Sequence, residues 1–74
     1  MNKREIRLSK ETVSDFVNAA NKCDFDIDIC YNRVVVDAKS IMGVFSLDLS
    51  HKLTVSYQGK DDEFEGVLNR YALA

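Results

Sequence analysis

Apolar and polar residues alternate along several stretches of this chain, which is the pattern of strands that bury one face. The clearest stretch is 25–31, where apolar residues at the odd positions alternate with two aspartates and a cysteine. Leu53–Tyr57 repeats the alternation, and Glu5–Leu8 is a shorter example. Residues 32 and 33 leave room only for a tight hairpin, so a returning strand should begin at Val34. The pattern therefore predicts four strands.

Three other segments carry apolar residues at helical spacing instead. The first follows Ser9, which is predicted to be its N-cap, and Glu11 lies where the helix dipole favours an acid. The second is a short helix within 40–47, and the third begins with the acids at 61–63. The stripes expected to be buried are Val13, Phe16, Val17 and Ala20 in the first helix, and Phe64, Val67, Leu68 and Tyr71 in the last.

The predicted element order is β-α-β-β-α-β-α, and the tight hairpin implies antiparallel pairing. The simplest packing is an α+β open-faced sandwich, in which a four-stranded antiparallel sheet carries three helices on one face. Asp26, Asp28 and Cys30 would then lie on the open face. Because the chain has 74 residues and no proline, repeat or low-complexity stretch, we expect a single domain spanning 1–74.

Composition and charge argue against several classes of partner. The net charge is −2, with acids and bases interspersed, so no basic face for nucleic acid is expected. No apolar run approaches the ~20 residues needed to span a bilayer. The first residues, M-N-K-R-E, are not followed by the apolar core of a signal peptide. We therefore expect a cytoplasmic protein that binds neither nucleic acid nor membrane.

The potential metal ligands do not form a recognisable site. Cys23 and Cys30 lie seven residues apart, which matches no zinc or redox motif, and the single histidine, His51, cannot complete a four-ligand set. A disulfide is conceivable, but two free thiols are expected in the cytoplasm. The acids at 24, 26 and 28 could hold a cation weakly, yet strand spacing splays carboxylates apart, so a solubilising face is favoured. We expect no metal and no cofactor.

Residues 39–47 carry the most specific signal in the chain. They read K-S-I-M-G-V-F-S-L and resemble the serine segment of HPr, the histidine phosphocarrier of the bacterial sugar phosphotransferase system, whose usual form is K-S-I-M-G-V-M-S-L. Eight of nine positions agree, with Phe45 in place of methionine. Weaker similarity runs from about residue 13 to the C-terminus, including the strand 53–56 and Gly59. The resemblance implies the HPr fold, whose element order is the one predicted above.

The segment before the first helix departs from the HPr pattern. In that family a G-x-H-A-R-P loop precedes the helix, and its histidine carries a phosphoryl group from Enzyme I to sugar-specific acceptors. Here Leu8 runs directly into Ser9, and Glu11 and Thr12 align where the family has arginine and proline. An acid at that place would repel a phosphoryl group. The resemblance therefore implies a protein that is not an enzyme and is not competent for histidine phosphotransfer.

Two other polar residues could be imagined as replacements for the lost histidine. Ser9 is more simply a helix cap, because no base or cation cluster activates it. His51 lies in a loop before a strand, does not align with the family's histidine, and is expected to be solvated. A phosphocarrier that uses some unrecognised acceptor nevertheless stays open as an alternative.

Ser40 is the candidate regulatory site. In Gram-positive relatives the matching serine is phosphorylated by HPr kinase/phosphorylase, which converts the carrier into a corepressor for a catabolite-control transcription factor. A phosphate at a helix N-terminus would meet unpaired N–H groups and a favourable dipole, with Lys39 beside it. The alternative is that Ser40 is only the N-cap of a short helix, and both can hold at once.

The helix after Ser40 is the candidate docking surface. The resemblance implies that Lys39, Ile41, Met42 and Phe45 contact partners, which would be HPr kinase/phosphorylase, the transcription factor or other phosphotransferase proteins. The alternative places Ile41 in the core and leaves only Met42 and Phe45 partly exposed. The leading hypothesis is thus a regulatory interaction domain in phosphotransferase signalling and catabolite repression. A degenerate interaction module without any phosphotransferase role is the other rival.

Overall fold

A computed structural model describes residues 1–73 and contains seven elements in the predicted order. The strands pair in one antiparallel sheet of order β1-β4-β2-β3, so the second and fourth strands of the chain lie at its centre. The elements are β1 (Asn2–Ile6), α1 (Val13–Asn21), β2 (Ile27–Tyr31), β3 (Val34–Asp37), α2 (Ile41–Phe45), β4 (Leu53–Tyr57) and α3 (Asp62–Tyr71).

The core lies between one face of this sheet and the helices. The apolar stripe predicted for α1 is fully buried, and three of the four residues predicted for α3 are buried, with Tyr71 only partly covered. The rings of Phe16 and Phe64 lie 6.0 Å apart and join the two helices, while Tyr57 packs edge-on against Phe64. Ile29 and Val55 face each other across the central strands and are inaccessible to solvent. The predicted open-faced sandwich is confirmed.

The opposite face of the sheet is polar. Cys30 pairs with Thr54, and Asp28 pairs with Ser56, across the two central strands. None of these side chains is buried, and Asp26 is exposed as well. The expected open face is therefore present. Both cysteines are free, and burial raises the pKa of the Cys23 thiol, which favours its inert protonated form.

The first strand begins earlier than predicted and ends before Leu8. Apolar alternation pointed to Glu5–Leu8, but β1 covers Asn2–Ile6, where only Ile6 is a buried apolar residue. Its polar half joins the sheet through backbone pairing with β4, and Arg4 on the helix side bonds to Glu65 of α3 at 3.3 Å. The alternation of apolar and polar side chains does not reveal a strand that is held mainly by backbone pairing. Leu8 lies in the loop that follows β1, and its side chain is buried.

The predicted N-cap of the first helix is also wrong. Ser9 opens a turn, because its carbonyl oxygen accepts from the N–H groups of Thr12 and Val13 at 3.0 and 3.2 Å. The Thr12 hydroxyl is held within the turn by the Ser9 N–H, at 2.8 Å, so it does not cap α1. The acid in the first turn of α1 is Asp15, and Glu11 lies before the helix.

The second strand starts at Ile27, two residues later than the alternation suggested. Phe25 instead stacks on the ring of Tyr57, with centroids 6.1 Å apart. The tight hairpin between β2 and β3 is confirmed, and Asn32 adopts a positive φ of 53° within it. Asparagine tolerates that conformation better than most residues do.

Candidate functional site

Ser40 lies between β3 and α2 and caps the helix. Its Oγ accepts a hydrogen bond of 3.2 Å from the N–H of Gly43, and its carbonyl oxygen accepts one of 3.0 Å from Val44. The Ser40 backbone is extended, with φ −101° and ψ 111°, as expected for an N-cap. The capping interpretation is confirmed. The side chain is exposed, so the cap is also open to solvent.

A turn at the end of β3 sets the position of Ser40. The Oδ1 atom of Asp37 accepts from the N–H of Lys39 at 2.9 Å, and the Asp37 carbonyl oxygen accepts from the N–H of Ser40 at 3.0 Å. Aspartate suits this turn because its short side chain reaches the backbone two residues on. The serine is therefore fixed directly to the edge of the sheet.

The Lys39 side chain binds the end of α1. Its ammonium group donates to the carbonyl oxygen of Cys23 at 2.9 Å, close to a helix C-terminus where a cation is favoured. The Nδ2 atom of Asn21 donates in turn to the Lys39 carbonyl oxygen at 3.0 Å. Sequence reasoning placed Lys39 beside Ser40 as a cation for a phosphate. In the structure that ammonium group already has a backbone acceptor.

Gly43 allows α2 to lie close to both β3 and its own cap. A Cβ atom at this position would be 3.3 Å from the Cβ of Val36 and 3.3 Å from the Oγ of Ser40. Both distances are tighter than ordinary van der Waals contact. The presence of a glycine within this helix is thus explained by packing.

Three apolar side chains of α2 project into solvent, and we call Ile41, Met42 and Phe45 the α2 surface. Their exposed fractions are 43%, 82% and 44%, whereas Val44 and Leu47 are buried. A five-residue helix makes only about one and a half turns, so few of its side chains can face the core. The alternative that places Ile41 in the core disagrees with this burial.

Ser46 is a second exposed hydroxyl, at the C-terminal end of α2. Its Oγ donates to the carbonyl oxygen of Gly43 at 2.5 Å, and its N–H bonds to the carbonyl oxygens of Met42 and Gly43. The hydroxyl group therefore helps to satisfy the end of the helix. Sequence reasoning did not single out Ser46. Its spacing of three residues from Gly43, which allows a serine hydroxyl to reach a carbonyl oxygen of the same helix, was the signal available.

The residues that the resemblance aligns with the phosphocarrier loop lie just before α1. Glu11 is exposed there, and the Thr12 hydroxyl is bonded to Ser9 rather than to the helix. Ser9 is exposed, and its Oγ lies 3.3 Å from the Thr12 hydroxyl. No histidine stands in this segment.

His51 lies far along the chain, in the loop between α2 and β4. Its ring stacks on Tyr31 with centroids 5.0 Å apart, and its Nε2 lies 3.4 Å from the Oδ2 of Asp48. Hydrogen bonds from the side chain and backbone of Ser50 lower the pKa of Asp48, which keeps the carboxylate ionised beside the imidazole. His51 also lines an open depression of about 450 Å³ together with Arg7 and Lys52.

Two further features bear on the metal site and the membrane span that were considered from the sequence. The acids at 24, 26 and 28 are exposed, and no group of three or more metal-ligating side chains comes together among residues 1–73. Within the same residues, the helices are all too short or too polar to traverse a bilayer.

Comparison with known proteins identifies what the chain is similar to. Residues 6–68 match the family model described as the HPr component phosphorylation site of the phosphotransferase system (PTS). This match covers both the segment before α1 and the α2 segment.

Solved structures agree with the family match. HPr-C-His from Thermoanaerobacter tengcongensis is 28% identical over 95% of this chain and 89% of that one, with a TM-score of 0.77. A phosphocarrier protein HPr from Bacillus anthracis str. Ames is 26% identical over 95% and 93%, with a TM-score of 0.71. The histidine-containing phosphocarrier protein of Mycoplasma is 19% identical over 99% and 98%, with a TM-score of 0.72, which supports the fold alone. The expected HPr-like fold is confirmed.

Proposed function

The chain belongs to the HPr family of the phosphotransferase system, and from that premise we propose that it is a regulatory interaction domain acting through Ser40 and the α2 surface. Members of this family are phosphocarriers and are not themselves enzymes. In the proposed role the chain does not carry a phosphoryl group on a histidine. It binds other proteins of phosphotransferase signalling and catabolite repression instead, within the cytoplasm.

The α2 surface is the observation that carries this proposal. Met42 is 82% exposed in a chain that has only 74 residues, and Ile41 and Phe45 flank it. Exposed apolar side chains that cluster around a polar group are typical of protein-binding sites. The cluster coincides with the segment 39–47, which agrees best with the family's serine segment.

The surroundings of the single histidine support the absence of histidine phosphotransfer. His51 follows α2, and its ring is stacked on Tyr31 beside the carboxylate of Asp48. The N-terminal end of α1, where the family has its acceptor, presents the exposed acid Glu11. A carboxylate there would repel the incoming phosphoryl group.

Phosphorylation of Ser40 is the proposed regulatory event. The hydroxyl is exposed, and its oxygen already accepts the N–H of Gly43, so phosphate oxygens would find a donor at the same place. The added charge would lie beside the α2 surface and change which partners bind there. Because Lys39 is bonded to Cys23, the serine would be modified without a bound cation at its side.

Treatment with an HPr kinase/phosphorylase and ATP tests this event. We expect intact-mass spectrometry to show one added phosphate on the wild-type chain and none on Ser40→Ala. Ser46→Ala is the matched control, because it removes the exposed hydroxyl at the other end of α2 and should still be phosphorylated. A folded wild-type chain that stays unmodified would favour the module without a phosphotransferase role.

Binding of that kinase tests the α2 surface separately. Met42→Lys should weaken binding at least about tenfold, because a charge replaces the most exposed apolar side chain. Leu73→Lys is the matched control, since Leu73 is 42% exposed but lies outside α2. Equal affinities for the two variants would remove the α2 surface from the proposal.

One observation favours a second candidate, a phosphocarrier with a different acceptor. His51, Arg7 and Lys52 line the same depression, which would place two cations near a nucleophilic imidazole. Incubation with phosphoenolpyruvate and Enzyme I separates the two functions. We expect no acid-labile label, whereas a label that disappears in His51→Ala would establish the carrier function and overturn the regulatory one.

A further inference from the structure

The sheet has two edges, and within residues 1–73 only the β1 edge is covered. The N–H of Arg7 bonds to the carbonyl oxygen of Tyr71 at 3.1 Å, and the N–H of Leu73 bonds to that of Glu5 at 3.1 Å. The segment after α3 therefore lies along β1. At the opposite edge, β3 has β2 as its only strand neighbour. An uncovered edge strand offers its backbone groups to another strand.

The hydrogen-bond pattern shows which backbone groups of β3 point away from the sheet. The N–H of Ala38 donates to the carbonyl oxygen of Ile27 at 2.9 Å, in register with the pairs along β2 and β3. Bonded and non-bonded pairs alternate in an antiparallel ladder. Val34 and Val36 therefore bond to β2, while the N–H and carbonyl of Val35 and the N–H of Asp37 point outward.

The side chains of β3 do not protect this edge. Val34 and Val35 are 51% and 62% exposed, and the strand contains no lysine and no proline. Natural edge strands commonly use such residues, or a bulge, to prevent pairing with other chains. A short run of exposed valines favours pairing instead.

The sequence of this edge is complementary to itself. Residues 33–37 read R-V-V-V-D, so antiparallel pairing centred on Val35 places Arg33 of each copy opposite Asp37 of the other. Val35 and Asp37 share one face because side chains alternate along a strand, and Arg33 lies in the hairpin turn directly before that strand. Both charge pairs would form on the open face of the sheet. Arg33 makes no ion pair within residues 1–73.

A repulsion within the chain adds to this complementarity. Asp28 of β2 lies directly opposite Asp37 of β3, and both side chains are exposed. Like charges in opposite positions destabilise a sheet. An arginine brought to Asp37 by a second copy would offset that repulsion, whereas an uncharged strand would not.

We propose that β3 is a dimerisation edge, at which two copies pair antiparallel about a two-fold axis through Val35. The N–H and carbonyl of Val35 then bond reciprocally, and the two four-stranded sheets become one continuous sheet of eight strands. Because β3 has only four residues, the interface is small and the dimer forms at high protein concentration. The partner is a second copy of this chain.

Sedimentation velocity from about 10 μM to about 1 mM tests the proposal, since a small interface should dissociate in this range. We expect a dimer that grows with concentration and weakens at high salt. Val35→Lys and Arg33→Asp should each weaken it about tenfold or more, because both place like charges opposite each other. Lys10→Asp is the control for Arg33→Asp, because it makes the same charge change at an exposed residue outside the edge.

A mixture of two charge variants gives the sharpest readout. Arg33→Asp and Asp37→Arg should each be monomeric alone, and together they should form a heterodimer because both charge pairs are restored. Asp37→Arg loses the bond to Lys39, so circular dichroism must first show that it is folded. Val35→Lys and Arg33→Asp keep that bond, so they test the proposal independently of the Asp37→Arg variant.

Several results would overturn the dimer. A wild-type chain that stays monomeric at about 1 mM has no such edge pairing. Association that persists in both Val35→Lys and Arg33→Asp runs through another surface. Amide chemical-shift changes on concentration should centre on Val35 and Asp37, and changes confined to the α2 surface would likewise contradict the proposal.

Discussion

The ammonium group of Lys39 lies 2.9 Å from the carbonyl oxygen of Cys23, which binds the residue before Ser40 to the end of α1. Asn21 makes a second connection by donating to the Lys39 carbonyl oxygen at 3.0 Å. The start of α2 is therefore held by α1 on one side and by the Asp37 turn on the other. A five-residue helix is too short to be stable alone, so these contacts keep the α2 surface in place.

Lys39→Met should lower the free energy of unfolding by about 1 kcal/mol, because it removes the charged hydrogen bond but keeps most of the aliphatic chain. Urea denaturation measures the change. Lys60→Met is the control, since Lys60 is exposed and makes no ion pair within residues 1–73. If both variants unfold at the same urea concentration, the Lys39 bond makes no net contribution.

Ser40→Ala should also cost about 1 kcal/mol, because the Gly43 N–H loses its side-chain acceptor. Ser40→Gly should cost only a few tenths of a kcal/mol, since water can reach the N–H freely and glycine adopts the cap conformation easily. Thermal denaturation of the two variants gives the comparison. Equal stability of Ser40→Ala and the wild type would mean that the cap bond contributes nothing to stability.

Most of the fold followed from apolar periodicity, because the residues that alternate in β2 and β4 are also those that fill the core. β1 was misplaced since its polar residues are ordered by backbone pairing with β4, which side-chain patterning does not report. The prediction that Ser9 is the N-cap of α1 was wrong for a related reason. The hydroxyls of Ser9 and Thr12, three residues apart, could both begin a helix, and only the turn around Thr12 decides between them.

The candidate site was found through its motif, and its contacts were not foreseeable. Ser40 was correctly predicted to be an N-cap because serine before an apolar run is a local signal. The bond from Lys39 to Cys23 joins residues sixteen positions apart, so it depends on how α1 and α2 pack. The exposure of Ile41 is also a packing result, since a helix this short could have turned either face toward β3.

The stability of the protein should fall at alkaline pH because of Tyr57. Its hydroxyl donates to the Oε2 of Glu65 at 2.5 Å, and burial together with this bond raises the pKa of Tyr57 to about 12 from 10.0. The folded state therefore favours the neutral phenol. This contribution, about 3 kcal/mol for a shift of two pKa units, is fully present below pH 10 and is lost as the pH rises through about 12.

Tyr57→Phe isolates that contribution. The variant should be less stable than the wild type at neutral pH, and the difference should shrink as the pH rises from about 10 to about 12. Urea denaturation at several pH values gives the difference, provided the chain remains folded. Tyr31→Phe serves as control, since the Tyr31 hydroxyl has no hydrogen bond within residues 1–73. A Tyr57→Phe difference that stays constant through this interval would contradict the linkage.

Asp37→Asn should stabilise the chain by about 0.5 kcal/mol at low salt, because Asp37 lies opposite Asp28 and like charges repel. Asparagine keeps an Oδ1 acceptor for the Lys39 N–H, so the turn before Ser40 survives. Urea denaturation of dilute protein measures the monomer, and the gain should decrease at high salt. Asp24→Asn is the control, because Asp24 is exposed and has no cross-strand partner. A lower stability for Asp37→Asn would mean that the charge strengthens the turn more than it strains the sheet.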